Sequence, residues 1–244
     1  ISKLLSNNVA IVTCDPRHHP QGLVLNLSGH HIQTERFRVQ INSSLPLKKR
    51  LWAQTVTAKI DNQAALLEKQ GKNAGNLKKW ATEVKSGDSA NLEARAARYY
   101  WENLFKSKID GFIRGRFDEE PNNLLNYGYA ILRAAVARSL VGSGLLPSLG
   151  INHHNKYNAY CLADDIMEPY RPFVDQLVWE IIEDEQDIYV LDKGMKARLL
   201  SLLTSDVDFK RQTSPLWTGI QRTANSLVAC FEGTKTKIDY PVLI

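Results

Sequence analysis

Carboxylates and an imidazole lie close together in the sequence between residues 150 and 170. His153 precedes Asp165 by twelve positions and Glu168 by fifteen. Together they offer nitrogen and oxygen ligands to a hard or borderline divalent cation, the kind that activates water or a hydroxyl against phosphate. The run therefore predicts a metal-assisted site, provided that a further ligand and a basic surface lie elsewhere in the chain.

A third candidate ligand, Glu93, begins a predicted helix. Ala97, Trp101 and Leu104 follow at helical spacing, which places Glu93 at the head of an apolar stripe that faces the interior. A carboxylate there is costly unless it is paired, hydrogen-bonded or bound to a metal. The alternative is a first-turn glutamate that interacts with the helix dipole. Two carboxylates and one histidine leave coordination positions open, which suits Mn²⁺ or Mg²⁺ better than a structural zinc.

Composition limits the class of protein. The chain has 244 residues and a formal net charge of +5, a balance that favours a polyanionic partner. No run of about eighteen apolar residues predicts a membrane span. The three cysteines are far apart, which argues against a disulfide framework and indicates reduced thiols in the cytoplasm. Because the sequence begins at Ile1 without a secretory signal, we expect that an N-terminal portion is missing.

Basic residues cluster at the start of a predicted helix. Lys48, Lys49 and Arg50 precede Trp52, and Arg114 and Arg116 lie in an irregular basic loop. Further lysines follow the first cluster along the chain, at Lys69, Lys72, Lys78, Lys79 and Lys85. Two interpretations remain open, a solvated helix face or phosphate contacts with a nucleic acid.

The hydrophobic pattern predicts a small β-containing segment followed by helices. Residues 9–14 are typical of a buried strand, and residues 23–27 of a second strand. Helices are predicted over approximately 32–43, 47–70, 92–105, 122–140, 194–203 and 215–231. Asp88 or Ser89 can cap the helix that follows it, and residues 237–244 are predicted to dock as an extended tail.

Another helix is predicted to restart near Asp164. Spacings of three and four residues put Asp164, Asp165 and Glu168 on a shared helix face. Several other chemistries have no motif in this sequence, namely a nucleophile elbow, a phosphate loop and a dinucleotide fingerprint. We interpret the His18-His19 and His30-His31 pairs as loop histidines, since neither has carboxylates at ligand spacing.

Two longer motifs resemble a known family. Glu93-Ala-Arg-Ala-Ala-Arg-Tyr-Tyr-Trp101 resembles the Glu-Gly-x-Ala-Ala-Arg-x-Tyr signature of the CRISPR-associated adaptation integrase. This is the nuclease that inserts new spacers into CRISPR arrays. Ala94 replaces the usual glycine, so the residue stays small. The segment Pro121–Arg133 resembles the central helix motif of the same family.

The remaining motifs follow in the family's order. Gly150-Ile-Asn-His153 and the segment Ala163–Asp175 resemble the C-terminal metal motif. Pro46–Trp52 and His153-His154-Asn155 look most like the type II subgroup, which works beside a single RNA-guided effector nuclease. The resemblance covers nearly the whole chain.

The resemblance implies an α+β fold. A mainly α-helical C-terminal catalytic domain would span residues 29–244. Residues 1–28 would be the C-terminal part of a small N-terminal β-sandwich domain.

The resemblance also implies a ligand set. The metal ligands and catalytic residues fall on Glu93, His153 and Glu168, which would hold Mn²⁺ or Mg²⁺. His154 is the alternative imidazole. Asp165 would be an auxiliary ligand or a supporting partner of a ligand.

The implied activity is that of a metal-dependent DNA endonuclease and integrase, which attacks the CRISPR repeat boundary with a 3′-hydroxyl. The implied partners are double-stranded DNA, a second copy of the chain, and a small ferredoxin-like adaptation protein that completes a hetero-hexamer. The type II effector nuclease and an accessory adaptation protein are further expected partners. Candidate phosphate contacts are Lys48, Lys49, Arg50, Arg114 and Arg116. The alternative is a non-catalytic DNA-binding scaffold subunit, against which the full ligand set argues.

Overall fold

Helices predominate in the computed structural model, which describes residues 1–7, 9–15, 20–27, 30–109, 111–115, 120–184, 190–209 and 212–244. The chain begins with a short helix α1 (Ser2–Ser6) and an antiparallel hairpin of β1 (Ile11–Cys14) and β2 (Pro20–Val24). Strand β1 is mostly exposed, so the prediction of a buried strand is wrong. A two-stranded hairpin has one face to bury, and this one packs on a helix through Leu23 of β2.

The helices that follow carry most of the core. Their bounds are α2 Gln33–Ile41, α3 Leu45–Lys69, α4 Gly75–Glu83, α5 Leu92–Leu104, α6 Asn122–Gly142, α7 Cys161–Met167, α8 Arg171–Asp184, α9 Lys193–Leu200 and α10 Leu216–Phe231. The predicted helices are confirmed to within a few residues at their ends. The predicted domain boundary between residues 28 and 29 falls outside the described residues, and the β-sandwich stays a prediction.

The central element is α3, whose 25 residues contact α4, α5 and α8. Ser44 caps its first turn by accepting a hydrogen bond from the Leu47 backbone N–H at 3.3 Å. Pro46 in that turn has no N–H that would need a partner. The face towards the core includes Leu51 and Ile60, both fully buried. A long helix of this kind can hold side chains from several other elements in register.

Helix α5 starts at a carboxylate cap. The Asp88 Oδ1 and Oδ2 atoms accept hydrogen bonds from the backbone N–H groups of Leu92 and Glu93 at 2.9 and 3.0 Å. The predicted cap is therefore confirmed at Asp88. The buried stripe of α5 consists of Leu92, Ala96, Tyr100 and Leu104.

The structure corrects the predicted position of Glu93. Glu93 lies on the neighbouring stripe of α5 with Ala97 and Trp101, and all three are half-buried. Because an α-helix advances about 100° per residue, a shift of one position moves a side chain from the core to its edge. Glu93 therefore lies at the edge of the core, on the stripe whose Ala97 and Trp101 line a cavity.

The C-terminal part closes the fold. A second antiparallel hairpin, β3 (Asp206–Phe209) and β4 (Gln212–Pro215), precedes α10 and was not predicted. The predicted extended tail is confirmed, because the Val242 backbone N–H donates to the Asp208 carbonyl oxygen at 2.7 Å. The buried side chain of Asn62 on α3 also holds the tail by accepting a hydrogen bond from the Leu243 backbone N–H.

Within the described ranges, no helix is both long enough and apolar enough to cross a membrane.

Candidate active site

Two of the predicted ligands meet around one lysine. Glu93 comes from the first turn of α5, and Glu168 begins a 3₁₀ turn (Glu168–Tyr170) that joins α7 to α8. Lys59 reaches them from the middle of α3. Its Nζ atom lies 2.8 Å from Glu93 Oε1 and 2.6 Å from Glu168 Oε2. One buried ammonium thus joins two carboxylates that are 75 positions apart in the sequence.

Glu168 has a second cation on its other oxygen. The Arg171 Nε atom donates to Glu168 Oε1 at 2.8 Å. Burial raises the pKa of Glu168, but Arg171 and Lys59 outweigh burial and lower that pKa to about 2. Burial lowers the pKa of Lys59, but the charges of Glu168 and Glu93 outweigh it and leave that pKa raised. Both groups are therefore charged at neutral pH.

His153 is held from one side by Asp165 of α7. The His153 Nδ1 atom lies 2.5 Å from Asp165 Oδ1. The Asp165 Oδ2 atom accepts hydrogen bonds from the backbone N–H groups of Ile151 and Asn152 at 2.7 and 3.0 Å, and its side chain is fully buried. A Cβ atom at Gly150 would collide with the His153 carbonyl oxygen and lie 2.8 Å from Asp165 Oδ2. The loop therefore requires glycine there and directs the second ring nitrogen, Nε2, away from Asp165.

His153 also lies within electrostatic range of both glutamates. Its hydrogen bond with Asp165 is the main cause of its raised pKa, and Glu168 and Glu93 contribute in the same direction. The Trp52 ring of α3 contacts the imidazole edge to face, with ring centroids 5.7 Å apart. The structure thus brings His153 to the same side of α3 as the two glutamates.

His154 has a different environment. It is exposed and lines a cavity of about 590 Å³ together with Lys48 and His153. The carboxylate of Asp165 contacts the ring of His153. Of the two histidines, His153 is thus the one whose ring is oriented by a buried carboxylate.

In the part of the chain that the structure describes, no three His, Cys, Asp or Glu side chains are close enough together to hold a metal ion. The ammonium of Lys59 lies between Glu93 and Glu168. The donor types nevertheless fit a divalent cation, since both carboxylates already share one positive charge and an oriented imidazole lies nearby.

The structure separates the three acids that were predicted to share a helix face. Asp164 Oδ1 lies 2.6 Å from the Arg133 Nε atom, whereas Asp165 contacts the His153 loop and Glu168 contacts Lys59. Helix α7 ends at Met167, and the 3₁₀ turn changes the direction of the Glu168 side chain. Asp165 therefore supports the loop that carries His153, and only Glu168 joins Glu93.

Sequence reasoning missed Lys59 and Arg171. Lys59 follows Trp52 by seven positions and precedes Ile60, on the apolar face of α3. A lysine is almost never fully buried unless it is paired, so its place on that face was the available signal. Arg171 lies three residues after Glu168, the spacing of a helical ion pair.

A cavity of about 270 Å³ opens beside these residues and is bordered by three cations, Lys59, Arg114 and Arg171. The predicted DNA contact Arg114 donates to the side-chain oxygens of Asn122 and Asn126 at 2.8 and 2.7 Å. These bonds anchor the arginine to the first turns of α6 while it lines the cavity. Its predicted contact with phosphate stays a prediction.

A further buried carboxylate lies behind Glu168. Asp175 Oδ2 and Oδ1 accept hydrogen bonds from the hydroxyl groups of Tyr100 and Tyr129 at 2.8 and 2.5 Å. The Arg171 guanidinium lies 4.4 Å from the centre of the Tyr129 ring. Arg171 thus contacts Glu168 directly and lies over a tyrosine that donates to Asp175.

The other basic candidates are dispersed. Lys48 lines the larger cavity with His153, while the stem of Lys49 lies against Gly87. Arg50 is exposed, and its charge lowers the pKa of Cys230, although burial dominates and raises that pKa. Arg116 lies outside the described residues.

The later lysines contact the protein itself. Lys72 donates to the Asn103 and Leu104 carbonyl oxygens at the end of α5, at 2.5 and 2.6 Å. Lys78 pairs with Glu68 at 2.6 Å. These contacts favour the interpretation of a solvated face for this stretch.

Comparison with known proteins agrees with the sequence motifs. Residues 1–189 match the family described as CRISPR associated protein Cas1. The CRISPR-associated endonuclease Cas1 of Neisseria meningitidis serogroup C is 38% identical over 231 residues, which cover 94% of this chain and 75% of that protein. A Cas1 endonuclease of Pyrobaculum aerophilum is 28% identical over 92% of this chain and 79% of its own length.

Solved structures show the same fold. A casposase bound to its integration product superimposes with a TM-score of 0.78 at 20% identity, over 97% of this chain and 75% of the casposase. A chain of a Cas6-RT-Cas1–Cas2 complex superimposes with a TM-score of 0.75 at 21% identity, over 96% of this chain and 30% of that one. A Cas1 protein from Thermotoga maritima has a TM-score of 0.66 at 18% identity, over 95% and 81%. The family resemblance of the motifs is confirmed, and the chain belongs to the Cas1 family of CRISPR-associated proteins.

Proposed function

We propose that this chain is a metal-dependent DNA endonuclease and integrase that inserts fragments of foreign DNA as new spacers into a CRISPR array. The observation that carries the proposal is the pair of carboxylates, Glu93 and Glu168, that share one buried cation beside an oriented His153. The names of its relatives support the same activity, since the Neisseria protein is called an endonuclease and the casposase was captured with an integration product.

Glu93, Glu168 and the Nε2 atom of His153 would hold Mn²⁺ or Mg²⁺. Such a cation supplies Lewis-acid stabilisation to a reacting phosphate. Asp165 contacts Nδ1 of His153 and so orients the ring, which leaves Nε2 as the nitrogen that could bind a metal. Arg171 keeps Glu168 ionised and oriented through its bond to Oε1.

In the proposed reaction, the 3′-hydroxyl oxygen of the incoming strand forms a new bond to phosphorus at the repeat boundary. The bond from that phosphorus to the 3′ oxygen of the repeat strand breaks, and this oxygen leaves with a proton. One phosphodiester is exchanged for another, so no external energy source is needed. Water in place of the hydroxyl gives hydrolysis, the nuclease reaction. Lys59, Arg114 and Arg171 supply positive charge at the cavity where a phosphate would lie.

The proposal includes an assembly. We propose that two copies of the chain work together with a small adaptation protein and hold a DNA duplex across the basic surface. The solved neighbours include chains of Cas1–Cas2 complexes, which supports a partner of that kind. The net charge of +5 is consistent with a polyanionic ligand.

A strand-transfer assay with the purified chain and its small partner tests the function. A labelled duplex with free 3′-hydroxyl ends should join a repeat-containing target in Mn²⁺, and EDTA should remove the product. His153→Ala should lose the product, whereas His154→Ala should keep most of it, because Asp165 orients only the first ring. Activity that persists in EDTA would exclude the metal mechanism. Loss in His154→Ala with full activity in His153→Ala would reverse the ligand assignment.

A further inference from the structure

Lys59 is the least expected residue of the candidate site. Its side chain is only 10% exposed, and its Nζ atom contacts Glu93 Oε1 and Glu168 Oε2 at 2.8 and 2.6 Å. Two carboxylates brought together repel each other unless a positive charge lies between them. The Lys59 ammonium therefore holds the two carboxylates side by side.

We propose that Lys59 is a positioning residue. Its ammonium takes the place of the divalent cation until that cation binds, and then moves to contact a phosphate of the DNA. This inference rests on the proposed function. It makes Lys59 the link between the loading of the cation and the binding of DNA.

The contacts of Glu168 explain why Lys59 must leave. The Arg171 Nε atom donates to Oε1 of Glu168. The other oxygen, Oε2, is therefore the one that contacts Lys59. A cation held by Glu168 and Glu93 would need the space between the two oxygens that Nζ now contacts at 2.6 and 2.8 Å. An ammonium and a divalent cation cannot share this position.

The surroundings of Lys59 show where its ammonium can go. The 270 Å³ cavity lies on the same side of α3 and is lined by Gln63, one helical turn after Lys59. Gln63 is buried, and its Oε1 atom has no hydrogen-bond partner among the described residues. A buried acceptor without a donor is costly, and an ammonium that moved into the cavity would satisfy it.

A second partner for the displaced ammonium must be an anion. The other cations that line the cavity are Arg114 and Arg171, and the carboxylate of Asp175 already accepts two tyrosine hydroxyls. An unpaired buried charge is strongly unfavourable, so a phosphodiester from the bound DNA is the group that would compensate it. Cation binding and DNA binding should therefore strengthen each other through Lys59.

Titration with Mn²⁺ tests this coupling, with binding measured by calorimetry on wild type, Lys59→Met and Lys69→Met. Without DNA, Lys59→Met should bind Mn²⁺ about 10-fold more tightly than wild type, because no ammonium has to be displaced. Lys69 is exposed at the end of the same helix. The Lys69→Met variant should therefore bind Mn²⁺ with the affinity of wild type. Adding a short DNA duplex should raise the Mn²⁺ affinity of wild type. The factor of this increase should be at least about fivefold smaller in Lys59→Met.

A second measurement uses the wild-type chain and so does not depend on the folding of a variant. Reductive methylation with formaldehyde, read by mass spectrometry, reports how accessible the Lys59 amine is. Labelling should be low without metal, higher with Mn²⁺ and low again with Mn²⁺ and duplex DNA. Lys69 should be labelled equally in all three conditions.

The outcomes separate this inference from the proposed function. If wild type binds Mn²⁺ and Glu93→Gln does not, but Lys59→Met binds no more tightly than wild type, the role of Lys59 is overturned while the metal site stands. Labelling of Lys59 that does not respond to Mn²⁺ would overturn it as well. If neither wild type nor Lys59→Met binds Mn²⁺, the proposed metal site fails, and the role of Lys59 fails with it.

Discussion

Glu168 and Asp175 are both buried carboxylates, and Arg171 contacts the first directly and the second through the ring of Tyr129. Glu168 contacts two cations, Lys59 and Arg171, whereas Asp175 accepts hydrogen bonds from two neutral hydroxyls. Burial raises the pKa of both groups. The cations overcome burial at Glu168 and lower its pKa to about 2, but the tyrosines do not overcome it at Asp175, whose pKa rises to about 6.

The comparison shows what burial alone cannot decide. A carboxylate that binds a divalent cation must be ionised, and Glu168 is ionised over the whole physiological range. Asp175 is held by donors that remain neutral, so it serves to join α5, α6 and α8 through Tyr100 and Tyr129. This contrast favours the proposed metal binding at Glu168 and a structural role for Asp175, and the following variants test that division.

The largest expected effect is the loss of strand transfer in Glu168→Gln or Glu93→Gln. Each change removes a charge that the proposed cation needs. We expect the rate to fall by more than about 100-fold, since losing a residue that only supports a metal ligand already costs up to that factor. Asp175→Asn should change the rate by less than about tenfold, because it keeps a side chain of the same size outside the ligand set.

Glu183→Gln is the matched control for these assays. Glu183 is exposed near the end of α8, fifteen positions after Glu168, and pairs with Lys108 at 3.2 Å rather than with a residue of the ligand set. It should leave both the rate and duplex binding unchanged. Equal loss of activity in Glu168→Gln and Asp175→Asn would remove the distinction between the two carboxylates.

The second effect concerns Arg171, which contacts both clusters. Arg171→Met leaves Glu168 with Lys59 as its remaining cation and removes the guanidinium from the Tyr129 ring. We expect the free energy of unfolding to fall by about 3 kcal/mol, the scale for breaking a buried ion pair. Arg171→Lys keeps the charge but loses the planar stack, and should cost about 1 kcal/mol. Urea unfolding measures both, and equal losses would show that charge is not what Arg171 supplies.

The main helices and the two acidic ligands could be predicted from the sequence, because their signals are local. Hydrophobic spacing gives α3, α5 and α6, and Asp88 caps α5 as expected. The family motifs gave Glu93 and Glu168, which the structure brings together around one cation. These features depend on residues within a few turns of each other.

The remaining features depend on contacts across the fold. Periodicity shows that Lys59 lies on the apolar face of α3, but it does not show which groups lie opposite. The Asp175 cluster joins Tyr100 and Tyr129, which are 75 and 46 positions away in the chain. The β3–β4 hairpin was missed because its two buried residues, Val207 and Phe209, are too few to establish an alternating pattern.

The pH dependence of stability gives the third test. The folded-state pKa of Asp175, about 6, is above its ordinary value of 3.8, so the folded protein binds more protons than the unfolded chain between these values. The stability contributed by protonated Asp175 is complete below about pH 4 and is lost as pH rises through 6. The loss amounts to about 3 kcal/mol, from a shift of about two pKa units.

Asp175→Asn isolates that contribution. The difference in unfolding free energy between wild type and Asp175→Asn should fall by about 3 kcal/mol from pH 4 to pH 7, measured by urea unfolding at each pH. Glu168 has the opposite sign. Its pKa is lowered, so its stabilisation is present above about pH 4.5 and disappears as pH falls towards 2. A difference that does not vary with pH would show that Asp175 is ionised in the fold at pH 5.

The smallest effects are expected in the basic cluster at the start of α3, which lies on the His153 side of the site. Lys48 lines the cavity that contains His153 and His154, whereas the charge of Arg50 acts on Cys230 of α10. If DNA approaches the ligand set from this cavity, Lys48→Ala should weaken duplex binding about threefold to tenfold. It should also reduce the slope of log affinity against log salt by about 1, the value for one lost phosphate contact. Arg50→Ala should change this slope by less than half as much as Lys48→Ala does, because the charge of Arg50 acts on Cys230 and not on the cavity beside His153. Equal slopes for the two variants would place DNA over the whole cluster and not over the cavity beside His153.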